Sequence, residues 1–205
     1  PDPQKPLVSH YVPMKNKTME ATLSAYKEAE SEVLRNFREG NRKVARVHSD
    51  CDPSVLGSAL VEYLQQRLVW QTNTVGYDHN GNAAIEVRHK EVMRSFRANL
   101  LTATGGRGRY TEIWGDNLMH SNDCVNHTSH AGETTPVQRA GGVPVDLESD
   151  DAHIFGSRVV RYQPVEKRDG KLDMPTCVAI YAGRSTKVPG GHKVIDMTWN
   201  MHTKQ

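Results

Sequence analysis

Two short β-branched runs, "KVARVHS" at 43–49 and "LVWQT" at 68–72, flank one amphipathic stretch, "SVLGSALVEYLQQR", that begins at Ser54. A connection of about a dozen helical residues is far too long for a hairpin and favours a parallel pair with a right-handed crossover. No other feature narrows the fold as much, because a βαβ unit implies an α/β sheet with a carboxyl edge where ligands bind. The first run stops abruptly on His48, Ser49 and Asp50 and falls into "CDPS". Asp50 is therefore either a strand-ending turn residue or half of a metal site.

The flanking segments extend the pattern. "PLVSHYV" (6–12) alternates apolar and polar residues as a strand would, and Pro13 closes it. In the following "MKNKTMEATLSAYKEAESEVLRNFREG", Leu23, Tyr26, Ala29, Val33 and Phe37 recur at helical steps, Thr18 or Asn16 can cap, and Gly40 can stop the helix. Beyond the βαβ unit, "NTVGYDHNGN" (73–82) is too rich in Gly and Asn for regular structure and reads as a loop. It leads into a long helix, "AAIEVRHKEVMRSFRANLLTA", with Ile85, Val92, Phe96 and Leu100 expected inward. A further helix should run from about Tyr110 to His127 after the break "GGRG". Residues 131–150 read as a linker. "AHIFGSRVVRYQPV", "TCVAIYAGRS" and "HKVIDMTWN" are then three β-rich runs separated by glycine turns, enough for a small barrel or meander. The expected organisation is a core over 1–130, a linker over 131–150 and a β-rich region over 151–205.

Composition removes several classes of function. With 26 Lys and Arg against 24 Asp and Glu, the chain cannot grip nucleic acid by bulk charge, so local clusters must do so. Cys51, Cys124 and Cys177 are odd in number and far apart, which argues against a disulfide framework and a Cys-rich zinc site and for a reducing intracellular compartment. No run of 18 apolar residues exists, so no membrane partner is expected. The absence of an initial Met suggests a piece of something longer.

Thirty-five residues lie between Asp50 and Glu86, the latter in the first turns of the long helix. Spacing alone is weak, since a turn Asp and an N-terminal helix Glu favoured by the macrodipole are ordinary placements. Order adds to it: a strand-end Asp, the short "WQTNT" strand, the loop ending in "NGNA", and a helix-borne Glu followed by Arg88, His89 and Lys90. On "VHSDCDPS" and "NTVGYDHNGNAAIEVRHKEV" the sequence resembles the catalytic core of copia-type retrotransposon integrases, ribonuclease H-like polynucleotidyl transferases of the D,D(35)E group. The resemblance continues through "LLTATGGRGRYTEIWGDNLMHSNDCVNH" and the β-rich segment "TTPVQRAGGVPVDLESDDAHIFGSRVVRYQP", and so covers nearly the whole chain.

The resemblance implies a mixed sheet flanked by helices, an SH3-like β-rich C-terminal region, and Asp50 and Glu86 as catalytic metal ligands. Phosphodiester attack gathers negative charge on the reacting oxygens, which two divalent cations can neutralise. Hard Mg²⁺, or Mn²⁺ in its place, prefers carboxylate oxygen and keeps several waters. The family implies three carboxylates, the first on the first strand of the sheet. Asp2, the one acid before Glu20, falls by resemblance near the second strand and is not assigned. The expectation is therefore an N-terminally truncated core, inactive by itself. Element ends and target DNA, other copies of the chain, and a nuclear or virus-like-particle setting follow as implied partners and location. The rival expectation is a non-catalytic nucleic-acid-binding remnant.

Arg88, Lys90, Arg94 and Arg97 place positive charge along the helix of Glu86, either for phosphate contacts or as a solvated face. The cluster "RNFREGNRKVAR" (35–46) reads as solvated. His120, Cys124, His127 and His130 have helical spacing compatible with zinc, yet read better as a helix end with interspersed polar residues. His48 and Ser49 lack a nucleophile elbow and a partner acid for hydrolase chemistry. Arg158, Arg161, Lys167, Arg168 and Lys171 form either a nucleic-acid platform or a structural set, and Phe155 and the aromatic of "IYAGRS" should be core.

Overall fold

The computed structural model describes residues 8–35, 43–50, 52–53, 55, 57–74, 83–105, 113–129, 133–142, 153–168, 170, 174–185, 187–188 and 190–196. Over these the protein is mixed α/β. It divides into two compact units, Pro1–Met93 with Asn122–Val145, and Arg94–Ser121 with Asp146–Gln205.

In the first unit, helix α1 (Met19–Arg35) begins where Thr18 Oγ1 accepts the Ala21 N–H at 3.2 Å, the capping expected from sequence. Strand β1 (Arg46–Ser49), helix α2 (Ser58–Gln66) and strand β2 (Trp70–Asn73) follow, and β1 and β2 pair in parallel with Arg46 opposite Trp70 and Ser49 opposite Asn73. The helix starts four residues later than the pattern suggested. Asp52 and Pro53 instead open a turn closed by Val55 N–H to Asp52 C=O at 3.0 Å, which suits Asp and Pro at its first two positions.

Leu60, Leu64 and Val69 form the buried core, with Leu23, Tyr26, Val44, Val47, Val55 and Tyr63 packed on it. Complete burial of one such aliphatic side chain contributes about 1.5–3 kcal/mol. Beside this core the buried Glu30 carboxylate accepts the Tyr63 hydroxyl at 2.8 Å, and Lys27 and Arg67 lie over the Tyr63 ring at 4.8 and 5.5 Å. The chain leaves α2 through Leu68, which has φ +57°, with Val69 N–H bonded to Leu64 C=O and Leu68 N–H to Gln65 C=O. That pair of bonds defines a Schellman motif with leucine at the position glycine normally takes.

The strand expected over 6–12 is not found at the described residues 8–12. The backbone there is satisfied by side chains instead of a strand: Asn122 and Asn126 Nδ2 donate to the Ser9 carbonyl at 2.9 and 2.7 Å, and Ser9 N–H donates to Asn126 Oδ1 at 3.1 Å. Phe37 and Gly40 lie outside the described residues.

Helix α3 (Ala83–Thr104) matches the sequence reading, with Val92 fully buried. Ile85, expected inward, is 55% exposed: it lies in the first turn of the helix, and burial begins one turn later, with Arg88. Helix α4 (Trp114–His127) follows. Within the stretch read as a linker, Pro136–Arg139 forms a single helical turn, α5, closed by a capping box between Thr135 and Gln138.

In the second unit, Asn117 and Ser121 are fully buried polar residues. Asn117 Nδ2 donates to Phe96 C=O at 2.9 Å, and Ser121 Oγ accepts from Asn99 Nδ2 at 3.0 Å, so neither is left unsatisfied. Strands β3 (Arg158–Tyr162), β4 (Thr176–Arg184) and β5 (His192–Asp196) form the expected antiparallel meander, with β4 central and a bulge between Tyr181 and Gly183 against β5. Phe155, Ala179, Tyr181 and Ala182 are its core. Gly156, at φ +82°, sits so close to Ala103 that a Cβ there would stand 2.3 Å from the alanine methyl.

Candidate functional site

The carboxyl ends of β1 and β2 carry a polar ladder. His48 Nδ1 meets Thr72 Oγ1 at 2.9 Å and its Nε2 meets Thr74 Oγ1 at 3.2 Å; Ser49 Oγ donates to Asn73 Oδ1 at 3.1 Å; Thr74 N–H continues the pairing to Ser49 C=O at 2.9 Å. Adjacent strand residues point to opposite faces, so His48 and Ser49 serve separate bonds and no nucleophile–base pair exists between them.

Asp50 follows β1 directly and is exposed. Two residues on, Asp52 is ion-paired with Lys17. That hydrogen bond, with the charges of Asp52 and then Asp50 behind it, holds the Lys17 ammonium above its usual pKa. Asp50 therefore sits where the crossover rule puts ligand-binding groups, in a rim that also carries a counter-charge. Glu86 is exposed in the first turn of α3, where the helix dipole favours a carboxylate. Two hard oxygen donors suit a magnesium or manganese ion in chemistry. In number they fall short of a cage, and among the described residues no three His, Cys, Asp or Glu side chains gather closely enough to hold a metal ion.

Of the four basic residues expected on α3, Lys90, Arg94 and Arg97 are exposed. Arg88 is not available to phosphate. It is 9% exposed, and its guanidinium donates to Ser9 Oγ at 3.3 Å, Glu91 Oε2 at 3.0 Å and Asn126 Oδ1 at 2.8 Å. The burial has a simple cause: Arg88 and Val92 are one turn apart on the inward side of the helix. The one sequence signal that could have revealed it is the Asn122/Asn126 pair on α4, spaced to present two amides on one side.

In the histidine-rich helix, the His120 ring lies tilted against Phe155 and edge-on to Tyr181 at 5.5 and 5.8 Å between ring centres, and His127 Nδ1 lies 3.1 Å from Asp123 Oδ1. Cys124 and Cys177 are half-buried and form no disulfide, and His130 and Cys51 lie outside the described residues. In the β-rich region Arg161 binds both oxygens of Asp196 at 2.5 Å, and Arg168 donates to Gln163 C=O while covering the Tyr162 ring at 5.2 Å. Both are engaged in local bonds of the β-rich region, whereas Arg158 and Lys167 are exposed and Lys171 is outside the described residues.

No family model matches the chain, and no curated protein matches it. Among solved structures it is similar to the catalytic core domain of BIV integrase, with a TM-score of 0.46 and 14% identity over 63% of this chain and 73% of that one. It is also similar to the HTLV-2 integrase catalytic core domain in complex with magnesium, with a TM-score of 0.45 and 15% identity over 60% of this chain and 70% of that one. A chain of the simian T-cell lymphotropic virus intasome in complex with PP2A regulatory subunit B56 gamma gives a TM-score of 0.49 at 11% identity, over 89% of this chain and 63% of that one.

Proposed function

We propose that the chain is an integrase-like polynucleotidyl transferase of the copia retroelement type, part of a Pol polyprotein, acting on element ends and target DNA as an oligomer. The observation that carries this reading is the placement of Asp50: it lies immediately past the carboxyl end of a parallel β-pair, and the ordered motifs of that family run on from it to Glu86 at the start of α3. In this reading Asp50 and Glu86 hold the divalent metal, which when bound would neutralise charge gathering on the attacked phosphate. Lys17, tied to Asp52, balances the carboxylate rim, while exposed Lys90, Arg94 and Arg97 offer phosphate contacts.

The test uses a frame extended upstream to include a strand ending in Asp. In that protein Asp50→Asn or Glu86→Gln is expected to reduce joining of a labelled donor end to target DNA by about a hundredfold or more, with circular dichroism unchanged. Undiminished joining by either variant removes that residue from the site. A second reading, a nucleic-acid-binding module without catalysis, draws on the absence of a three-donor cluster among the described residues. It requires that DNA binding persist while neither variant alters Mn²⁺ binding.

A further inference from the structure

From the way residues 8–12 are strapped to α3, we infer that Arg88 is a positioning residue for the turn that bears Glu86. The inference deepens the proposed function and rests on it for the role of Glu86. The geometry itself lies within one compact unit.

Two successive residues of α3 are tied to alternate residues of one extended segment. Arg88 Nε donates to Ser9 Oγ, and the rings of His89 and Tyr11 stack at 5.8 Å with Tyr11 Oη 2.8 Å from His89 Nδ1. The segment is itself anchored, since the Ser9 carbonyl accepts from both Asn122 and Asn126. Asn126 Oδ1 then joins the two halves, receiving the Ser9 N–H and the Arg88 Nη2–H. A planar guanidinium bonded in different directions fixes both the rotation of the helix and its axial position, which an apolar contact such as Val92 alone does not.

Rotation matters because of where Glu86 lies. Two residues correspond to about 200° around a helix, so burying Arg88 turns Glu86 to the opposite, solvent side. A helix free to roll about Val92 would carry the carboxylate with it. Outer partners that orient a metal ligand typically govern 10–100-fold in metal affinity. The sequence cost is also informative: a buried arginine is retained where a methionine of similar volume would avoid desolvating a charge.

The experiment uses the whole 205-residue chain. Arg88→Met is expected to speed amide exchange over residues 87–91 by about tenfold, with α2 amides at residues 60–64 unchanged, and to weaken Mn²⁺ binding, read by paramagnetic broadening at Glu86, by about 10–100-fold. Arg88→Lys keeps the charge without the fork and is expected to loosen the same amides. Exchange within twofold of the parent over 87–91, equal acceleration in α2, or full rescue by lysine overturns the inference. If Arg88→Met does not fold, Asn122→Leu, which removes one of the two donors to the Ser9 carbonyl, must produce the same local loosening or the inference fails. Parent protein whose Mn²⁺ broadening is untouched by Glu86→Gln would sink the metal reading instead, and the exchange measurement would still decide the role of Arg88.

Discussion

The two compact units solve the problem of satisfying backbone hydrogen bonds in opposite ways. The meander of β3, β4 and β5 closes locally: each strand pairs with the next, and Arg161 and Asp196 bridge its outer strands. The parallel pair cannot, because a crossover helix separates its strands and only four residues of each are paired. Its unit draws partners from across the sequence, as when side chains of Asn122 and Asn126 replace a strand partner for Ser9. Local pairing needs little from distant residues; a short parallel pair depends on its packed helix and on remote polar ties.

The largest test of that contrast is Leu64→Ala. Leu64 is 1% exposed and central to the only apolar cluster that supports β1 and β2 among the described residues. Its truncation is expected to cost about 2–5 kcal/mol, read by chemical denaturation, with amide exchange rising first in α2 and β2. Equal and simultaneous loss of protection in β4 would break the distinction between the units.

The same contrast explains what the sequence could reveal. The βαβ wiring, the Thr18 cap, the extent of α3 and the glycine-punctuated meander all depend on periodicity and turn chemistry within a few residues, and all are observed. The failures involve partners far away. The alternation in 6–12 resembles a strand because nothing local reveals that asparagines more than a hundred residues later will take its hydrogen bonds. Arg88 resembles its exposed neighbours because helical phase is set by what packs on the helix, and an arginine with three side-chain partners, one of them the buried Asn126, looks identical in sequence to a solvated one. For the candidate site, the place of Asp50 at a strand end was legible from local pattern. A metal-binding constellation is a long-range property, and the described residues assemble no third donor.

Titration should separate the units from opposite directions. Burial, then the neighbouring Glu30 and Tyr63, push the Tyr26 hydroxyl up to about 12. A raised acid stabilises the fold fully below its unfolded value of about 10 and loses that contribution as pH climbs through the folded value. Tyrosinate absorbance should therefore show a late-titrating component accompanied by loosening of the first unit, both diminished in Tyr26→Phe, with a remainder from Tyr63 and Tyr11, whose hydroxyls burial also pushes up. In the meander, hydrogen bonds from Arg161 hold the Asp196 carboxyl below its usual range. Its contribution is present above the ordinary carboxylate pKa and is lost as pH falls through the depressed value. Amide shifts of β4 should record that transition, and Asp196→Asn should remove it. A β4 that loosens at high pH together with α2 would contradict the contrast.

The smallest expected effect is a gain. Among the described residues the second unit places glycine wherever φ is positive, at 105, 156, 183 and 190, whereas the first unit turns from α2 into β2 through Leu68 at φ +57°. The left-handed conformation costs a β-carbon-bearing residue about 1 kcal/mol or slightly more. Leu68 is 91% exposed, so its side chain returns little by burial, and the apolar contact of the motif is made by Val69 and Leu64 on either side of it. Leu68→Gly should relieve that strain, offset in part by glycine's greater freedom in the unfolded chain, for a net stabilisation of up to about 1 kcal/mol in denaturant midpoint at constant slope. Destabilisation would mean that Leu68 packs against something in solution, and the parallel pair would then depend on one more remote contact.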